Sequence, residues 1–138
     1  LSDREETVKL LMEELTIAQM VDMWGRLNVA VIGIGESPPT SPMRKTGYYT
    51  AEEINELVDM GAVGDISGRF FGPNGEEVPA SANRRLLAIT FEILRKARRR
   101  VGVAGGLPKV RAIEGALRGG LINVLVTDSD TASALLTN

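Results

Sequence analysis

Two side chains that carry much of protein chemistry are missing from this sequence. Its 138 residues include neither cysteine nor histidine. Without cysteine there is no disulfide and no thiolate metal site. Without histidine the commonest general base and metal ligand is gone. An excess of positive charge is missing too. The net charge is −2, so the chain is not built for electrostatic binding to DNA. No apolar run is long enough to span a membrane, and no signal-peptide pattern opens the chain. A cytoplasmic protein with no membrane partner is expected. Apolar residues at 43% and charged residues at 25% are those of an ordinary globular chain. The length suits one domain or part of a larger one.

What the sequence does have is concentrated in its last third, Val101 to Asp128. The apolar run Val101-Gly102-Val103-Ala104 reads as a buried strand and is broken by Gly105-Gly106. Pro108 stands where a helix would start, a position that tolerates its missing N–H. Lys109 follows. Ile113, Ala116 and Leu117 recur at helical spacing, and Gly119-Gly120 ends the helix. Ile122 to Val126 is the next strand. The unit is β-α-β with a glycine loop aimed at a helix N-terminus. The first N–H groups of a helix lack internal partners and carry partial positive charge. Gly105, Gly106 and Lys109 therefore suit a phosphate or carboxylate. The alternative is a tight turn with a solvated lysine. Neither a dinucleotide fingerprint nor a Walker loop is present, because the third glycine and the Lys-Ser/Thr pair are absent.

Earlier in the chain, residues 2–14 read as a short amphipathic helix around Val8, Leu11 and Met12. Thr16 and Gln19 have capping-box spacing and open a second helix bearing Ile17, Met20, Val21 and Trp24. Val29 to Ile34 is a strand apolar on both faces, as in a parallel sheet covered by helices. Gly33 and Gly35 close it, where open α/β sheets bind ligands or simply turn. A proline-containing loop over 36–49 carries Arg44 and Lys45. Thr50 and Glu53 make a second capping box for a helix from Ala51 to about Met60, with Ile54, Leu57 and Val58 inward. Ala62 to Ile66 then brings Asp65 into an apolar run, where a carboxylate needs hydrogen bonds or a function. It caps a turn or it meets a ligand.

Gly72-Pro73-Asn74-Gly75 is a turn, with a return strand at 76–78. The alternation of Leu87, Ile89 and Phe91 predicts a strand over 85–91, then a short helix or turn. Five basic residues between Arg95 and Arg100 lack interleaved aromatics and read as a solvated edge. Thr127 and Asp128 cap a last helix from Ser129 to about Leu136. Its place before a helix makes Asp128 an N-cap before it is a catalytic acid. The fold class is α/β in three layers, with a mostly parallel sheet.

Three blocks carry a resemblance. AGGLPKVRAIEGALRGGLINVLVTDSDTASALL, GAVGDISGRFF at Gly61–Phe71 and NVAVIGIG at Asn28–Gly35 together resemble the C-terminal part of the effector-binding domain of SorC/DeoR-type bacterial transcriptional regulators. The likeness implies a fold similar to sugar-phosphate isomerases and deaminases, and a phosphorylated sugar as effector. It implies that Asp65 accepts hydrogen bonds from sugar hydroxyls, and that Arg44 or Lys45 reaches the phosphate. Family members carry an N-terminal helix-turn-helix and a first half of the sugar domain with its own phosphate loop. Residues 1–138 are then the C-terminal portion, with DNA reached only through that other domain and homo-oligomers expected. No metal or cofactor is called for and no catalytic residue is assigned. An isomerase- or deaminase-like enzyme, with Asp65 or Asp128 as base, is the alternative. A piece serving only for oligomerisation is a third.

Overall fold

The computed structural model describes residues 1–41 and 47–137. Arg44 and Lys45 lie outside the described residues. Helices α1 (Glu5–Glu13) and α2 (Leu15–Trp24) lead into strand β1 (Val29–Gly33). Helix α3 (Ala51–Asp59) precedes the strands β2 (Gly64–Ile66) and β3 (Arg69–Phe71). Two short helices follow, α4 (Ser81–Arg84) and α5 (Phe91–Lys96), and then β4 (Arg99–Val103). A 3-10 turn (Leu107–Lys109) runs into α6 (Val110–Arg118), and β5 (Val124–Val126) and α7 (Ser129–Thr137) complete the chain.

Strands β1, β4 and β5 form a parallel sheet in that order, with Val31 opposite Val101 and Val101 opposite Val124. This is the expected α/β architecture. Antiparallel β2 and β3 form a separate hairpin, turned by Ser67 and Gly68, both at positive φ. A helix-free two-residue link with both residues left-handed suits the twist of a hairpin. The hairpin joins two apolar clusters because side chains alternate along a strand. Phe71 faces one cluster and stacks edge-on to Phe91, centroids 6.0 Å apart. Phe70 faces the other and meets Tyr49 edge-on at 5.6 Å. Gly102, in the middle of β4, lets Ile122 and Ile34 lie directly on the strand, since a Cβ there would meet Ile122 Cδ1 at 2.9 Å.

Several local expectations hold for physical reasons visible in the contacts. Thr50 and Glu53 form the reciprocal capping box, with the Glu53 N–H donating to Thr50 Oγ1 at 3.2 Å and the Thr50 N–H to Glu53 Oε2 at 3.0 Å. Gly61, at φ +78°, terminates α3. Phe71 bridges Glu77, so the chain does return after the Gly72–Gly75 turn.

Others are corrected. Helix α2 starts at Leu15 after an extended Glu14, so Thr16 lies inside the first turn and does not cap it. Val58 is exposed, not inward. Among the described residues strand β1 lies at the edge of the sheet with Val29 and Val31 exposed, where a strand covered on both faces was expected. No strand forms over 85–91. The buried Arg69 draws the carbonyls of Ala88 and Ile89 to its guanidinium at 3.3 and 3.1 Å, and Thr90 Oγ1 accepts from the Ile93 N–H to start α5. The basic run is more than a solvated edge. Arg95 donates to the carbonyls of Gly119 and Gly75 at 2.9 and 2.7 Å, and Arg100 to that of Ala97 at 2.5 Å.

Asn83 ties the smaller cluster together. Buried in α4, it accepts from the Phe70 N–H at 2.8 Å and donates to the carbonyls of Phe70 and Val78 at 2.9 and 2.7 Å. The Phe70 carbonyl keeps the Val78 N–H at 3.1 Å, so truncation strands two backbone groups, the Phe70 N–H and the Val78 carbonyl, and each unsatisfied buried group costs about 1–3 kcal/mol. Asn83→Ala is therefore expected to lower unfolding free energy by about 2 kcal/mol or more. Urea denaturation measures it, and a loss under ~1 kcal/mol would contradict this role.

Candidate functional site

The carboxyl ends of β1 and β4 lie side by side, with Gly33 opposite Val103. Three charged side chains from other elements converge there. Asp65 comes from β2, because Gly35 forms an antiparallel bridge with it and donates its N–H to the Asp65 carbonyl at 2.9 Å. Lys109 comes from the end of the 3-10 turn. Asp128 comes from the chain just beyond β5.

Asp65 is buried in an otherwise apolar strand. Its Oδ2 accepts the Gly68 N–H at 2.9 Å, which is the turn-capping half of the two readings the sequence leaves open. Its Oδ1 stands over the α-carbon of Gly35, so close that any Cβ at residue 35 would collide with it. Glycine at 35 thus serves the carboxylate and not only a turn. Among the described residues Oδ1 accepts no hydrogen bond. Burial pushes the Asp65 carboxyl above its usual value of 3.8, opposed by the Gly68 N–H and by the Lys109 ammonium. Tyr49, buried on the far side of the hairpin turn, is pushed up to about 12, by burial first and then by the Asp65 charge.

Lys109 Nζ donates to the Ile34 carbonyl at 2.9 Å. Its stem is half-buried. An ammonium has three donors, so two remain for other partners. The pair therefore presents an acceptor, Asp65 Oδ1, and a cationic donor at one strand end. Gly33 sits beside them, and a Cβ there would meet open space.

The glycine loop behaves differently from its expected role as an anion cradle. The Gly106 N–H donates to Asp128 Oδ2 at 2.7 Å and to Thr131 Oγ1 at 2.8 Å. Asp128 also accepts from the Thr131 N–H at 2.8 Å and its hydroxyl at 2.8 Å. The Asp128 carboxylate lies against Gly105, where a side chain would collide with it. These hydrogen bonds, those from Thr131 foremost, lower its pKa to about 2. The loop's anion is therefore one of the protein's own carboxylates, which also caps α7 as the sequence suggested. Gly106 does not offer its N–H to a ligand in this conformation. Thr131, wholly buried, was not singled out from the sequence; only its spacing three residues after Asp128 hints at it. Tyr49 had no local signal, since its place beside Asp65 depends on how α3 packs on the hairpin.

Residues 1–137 match the family described as "Putative sugar-binding domain". The chain is 33% identical over 134 residues to the deoxyribonucleoside regulator of Bacillus subtilis, covering 97% of this chain and 42% of that protein. It superposes on the full-length sorbitol operon regulator SorC of Klebsiella pneumoniae with a TM-score of 0.91 at 34% identity, over 99% of this chain and 44% of that one. A DeoR family transcriptional regulator from Listeria monocytogenes gives 0.92 at 30% identity, over 98% and 55%. The chain belongs to the sugar-binding domain family of SorC/DeoR-type transcriptional regulators. It spans about two fifths of the length of the curated relatives it matches. Among the described residues of this sugar-binding domain, no helix is long and apolar enough to cross a membrane.

The raised pKa of Asp65 has a stability consequence. The folded state disfavours the charged carboxylate relative to the unfolded chain, so above its folded pKa the charge lowers stability. That penalty is relieved as pH falls and both states become protonated. Asp65→Asn retains an acceptor for Gly68 and removes the charge. It is expected to raise the melting temperature at pH 7, with the difference from wild type shrinking towards pH 3. Parallel thermal melts at the two pH values check this, and an equal shift at both would remove the charge explanation.

Proposed function

We propose that this domain senses a phosphorylated sugar and transmits its presence to DNA through a segment of the regulator outside these residues. The observation that carries the reading is the pairing of Asp65 Oδ1, an acceptor with no hydrogen bond among the described residues, with Lys109, anchored on Ile34 with two donors to spare. Sugar hydroxyls both donate and accept, and such a pair suits them. Lys109 also brings the charge that a phosphate needs. The strand-end position supports the reading, since open α/β sheets bind ligands beyond the carboxyl ends of their strands. In this proposal Asp65 takes hydroxyls and Lys109 bridges hydroxyl and phosphate. Gly33 and Gly35 keep the approach open, and Gly105 and Gly106 shape the turn that delivers Lys109. The relatives described above are regulators, which favours a sensor over an isomerase or deaminase.

A charge-assisted hydrogen bond contributes about 1.5–3 kcal/mol, and ~1.4 kcal/mol is tenfold in affinity. Lys109→Ala in the complete regulator is expected to weaken effector binding by roughly 10- to 150-fold. The variant should melt at a lower temperature at pH 7 yet stay folded, because the hydrogen bond to the Ile34 carbonyl and part of the compensation for the buried Asp65 charge are lost. Calorimetry against a panel of sugar phosphates and their unphosphorylated sugars reads the first effect, and melting without ligand reads the second. Undiminished affinity in a folded variant would remove Lys109 from the site. Steady conversion of any sugar phosphate to a new product, abolished by Asp65→Asn, would replace the sensor with an enzyme.

A further inference from the structure

The turn after β3 carries chemistry that the sugar site does not use. It reads Gly72-Pro73-Asn74-Gly75 and holds the only asparagine–glycine pair in the sequence. Asparagine is thermolabile, and most so before glycine, which has no side chain to shield its nitrogen or restrain its backbone. The Gly75 nitrogen would bond to the carbonyl carbon of the Asn74 side chain. The amide nitrogen would leave as ammonia, carrying the proton that the Gly75 nitrogen gives up. Water would then open the cyclic imide to aspartate or isoaspartate. The step consumes only water and releases only ammonia.

The structure leaves the Asn74 side chain exposed and guards the nitrogen that would attack it. The Gly75 N–H donates to the Gly72 carbonyl at 2.9 Å. Pro73 takes the first central position and Asn74 is not at positive φ, so the turn is of type I. A bond from the Gly75 nitrogen to Asn74 would displace the proton aimed at Gly72. Gly75 is also buried against the end of α6, so closely that a Cβ on Gly119 would stand 2.4 Å from the Gly75 α-carbon. Arg95 braces this contact. Its Nη2 donates to the Gly75 carbonyl at 2.7 Å and its Nε to the Gly119 carbonyl at 2.9 Å. One guanidinium thus ties both glycines. Glu76 folds back on the same turn, where its Oε2 accepts the Asn74 N–H at 2.9 Å. A new carboxylate at residue 74 would stand near that charge and be repelled by it.

We infer that Asn74–Gly75 is a latent deamidation site that Arg95 holds closed. The pair reacts when the turn lifts from α6, and the main product does not fit back. Isoaspartate inserts an extra backbone carbon between residues 74 and 75, so Gly75 cannot regain both its hydrogen bond to Gly72 and its seat on Gly119. Conversion is therefore a one-way mark on molecules whose turn has opened. It also frees the far end of α6, the helix that starts directly after Lys109.

Timed incubation of the complete gene product carrying this chain tests the inference, with peptide mapping that separates asparagine, aspartate and isoaspartate at residue 74. The folded protein should convert on the order of tenfold or more slowly than a peptide of residues 70–80, because only the opened fraction of the turn reacts. Folded protein converting at the peptide's rate would overturn the proposal. Arg95→Ala removes both brace hydrogen bonds and should speed conversion by about 3- to 10-fold in protein that still melts above the incubation temperature. Arg95→Lys keeps a donor and should lie between; it carries the same test if the alanine variant does not fold. Wild-type rates in the folded Arg95 variants would overturn the role of the brace. Thr50→Ala removes the cap of α3 and lowers stability without touching the turn, so it should convert at the wild-type rate. Acceleration equal to that of Arg95→Ala would place control in global unfolding and overturn the proposal too. None of these readouts depends on effector, so they fail or succeed separately from the sugar-phosphate reading.

Discussion

The Asp65 carboxylate, placed on the bare α-carbon of Gly35, is the contact on which the rest of the site depends. It joins two pieces of structure that are otherwise separate, the β2–β3 hairpin and the end of β1. The backbone bridge between Gly35 and Asp65 brings them together. The absence of a side chain at 35 lets the carboxylate settle, and the Gly68 N–H holds one of its oxygens. Burying a charge is unfavourable without compensation. Here the compensation is partial, which is why the carboxyl is shifted upward. Lys109 supplies part of it and is itself positioned by the Ile34 carbonyl one residue before Gly35. Strand end, hairpin and helix start are thereby locked to one another through two charged side chains.

A second carboxylate repeats the arrangement one strand further on. Asp128 lies against Gly105 at the end of β4, much as Asp65 lies against Gly35 at the end of β1. The two differ in solvation. Asp65 is buried, with a single N–H donor, and its pKa is raised. Asp128 is exposed to solvent, receives several hydrogen bonds, and has a pKa of about 2. The first is a polar group held at some expense of stability, as is common where a protein binds something. The second is a stabilising clamp that fastens the glycine loop to the first turn of α7. Any ligand contact that moves Lys109 therefore acts on a loop already tethered to the last helix.

How much of this was legible in the sequence varies by the range of the interaction. The capping box at Thr50 and Glu53, the helix stop at Gly61, the Gly72–Gly75 turn and the β-α-β unit with its glycine loop all rest on neighbours within a few residues. They were readable for that reason. The strand expected over 85–91 failed because its alternation is overridden by Arg69, a residue some twenty positions away that binds the carbonyls of Ala88 and Ile89. Thr16 failed as a cap because the break between α1 and α2 falls at Glu14, and spacing alone locates such boundaries poorly. The basic run concealed its structural role because Arg95 reaches carbonyls far along the chain.

The sequence by itself determined the class of fold, the order of its main strands and helices, the lack of histidine and cysteine chemistry, and Asp65 and Lys109 as residues to watch. Periodicity, punctuation by glycine and proline, and residue chemistry are local properties, and each is written in the chain. Only the tertiary structure decided which partner each charge meets. It placed Asp128, not a ligand, on the Gly106 N–H, and it put the Asp65 carboxylate on Gly35 thirty residues before it. It also left Val29 and Val31 exposed. Those outcomes depend on how strands align across long stretches of chain, and on what packs against a surface, which residue spacing does not encode.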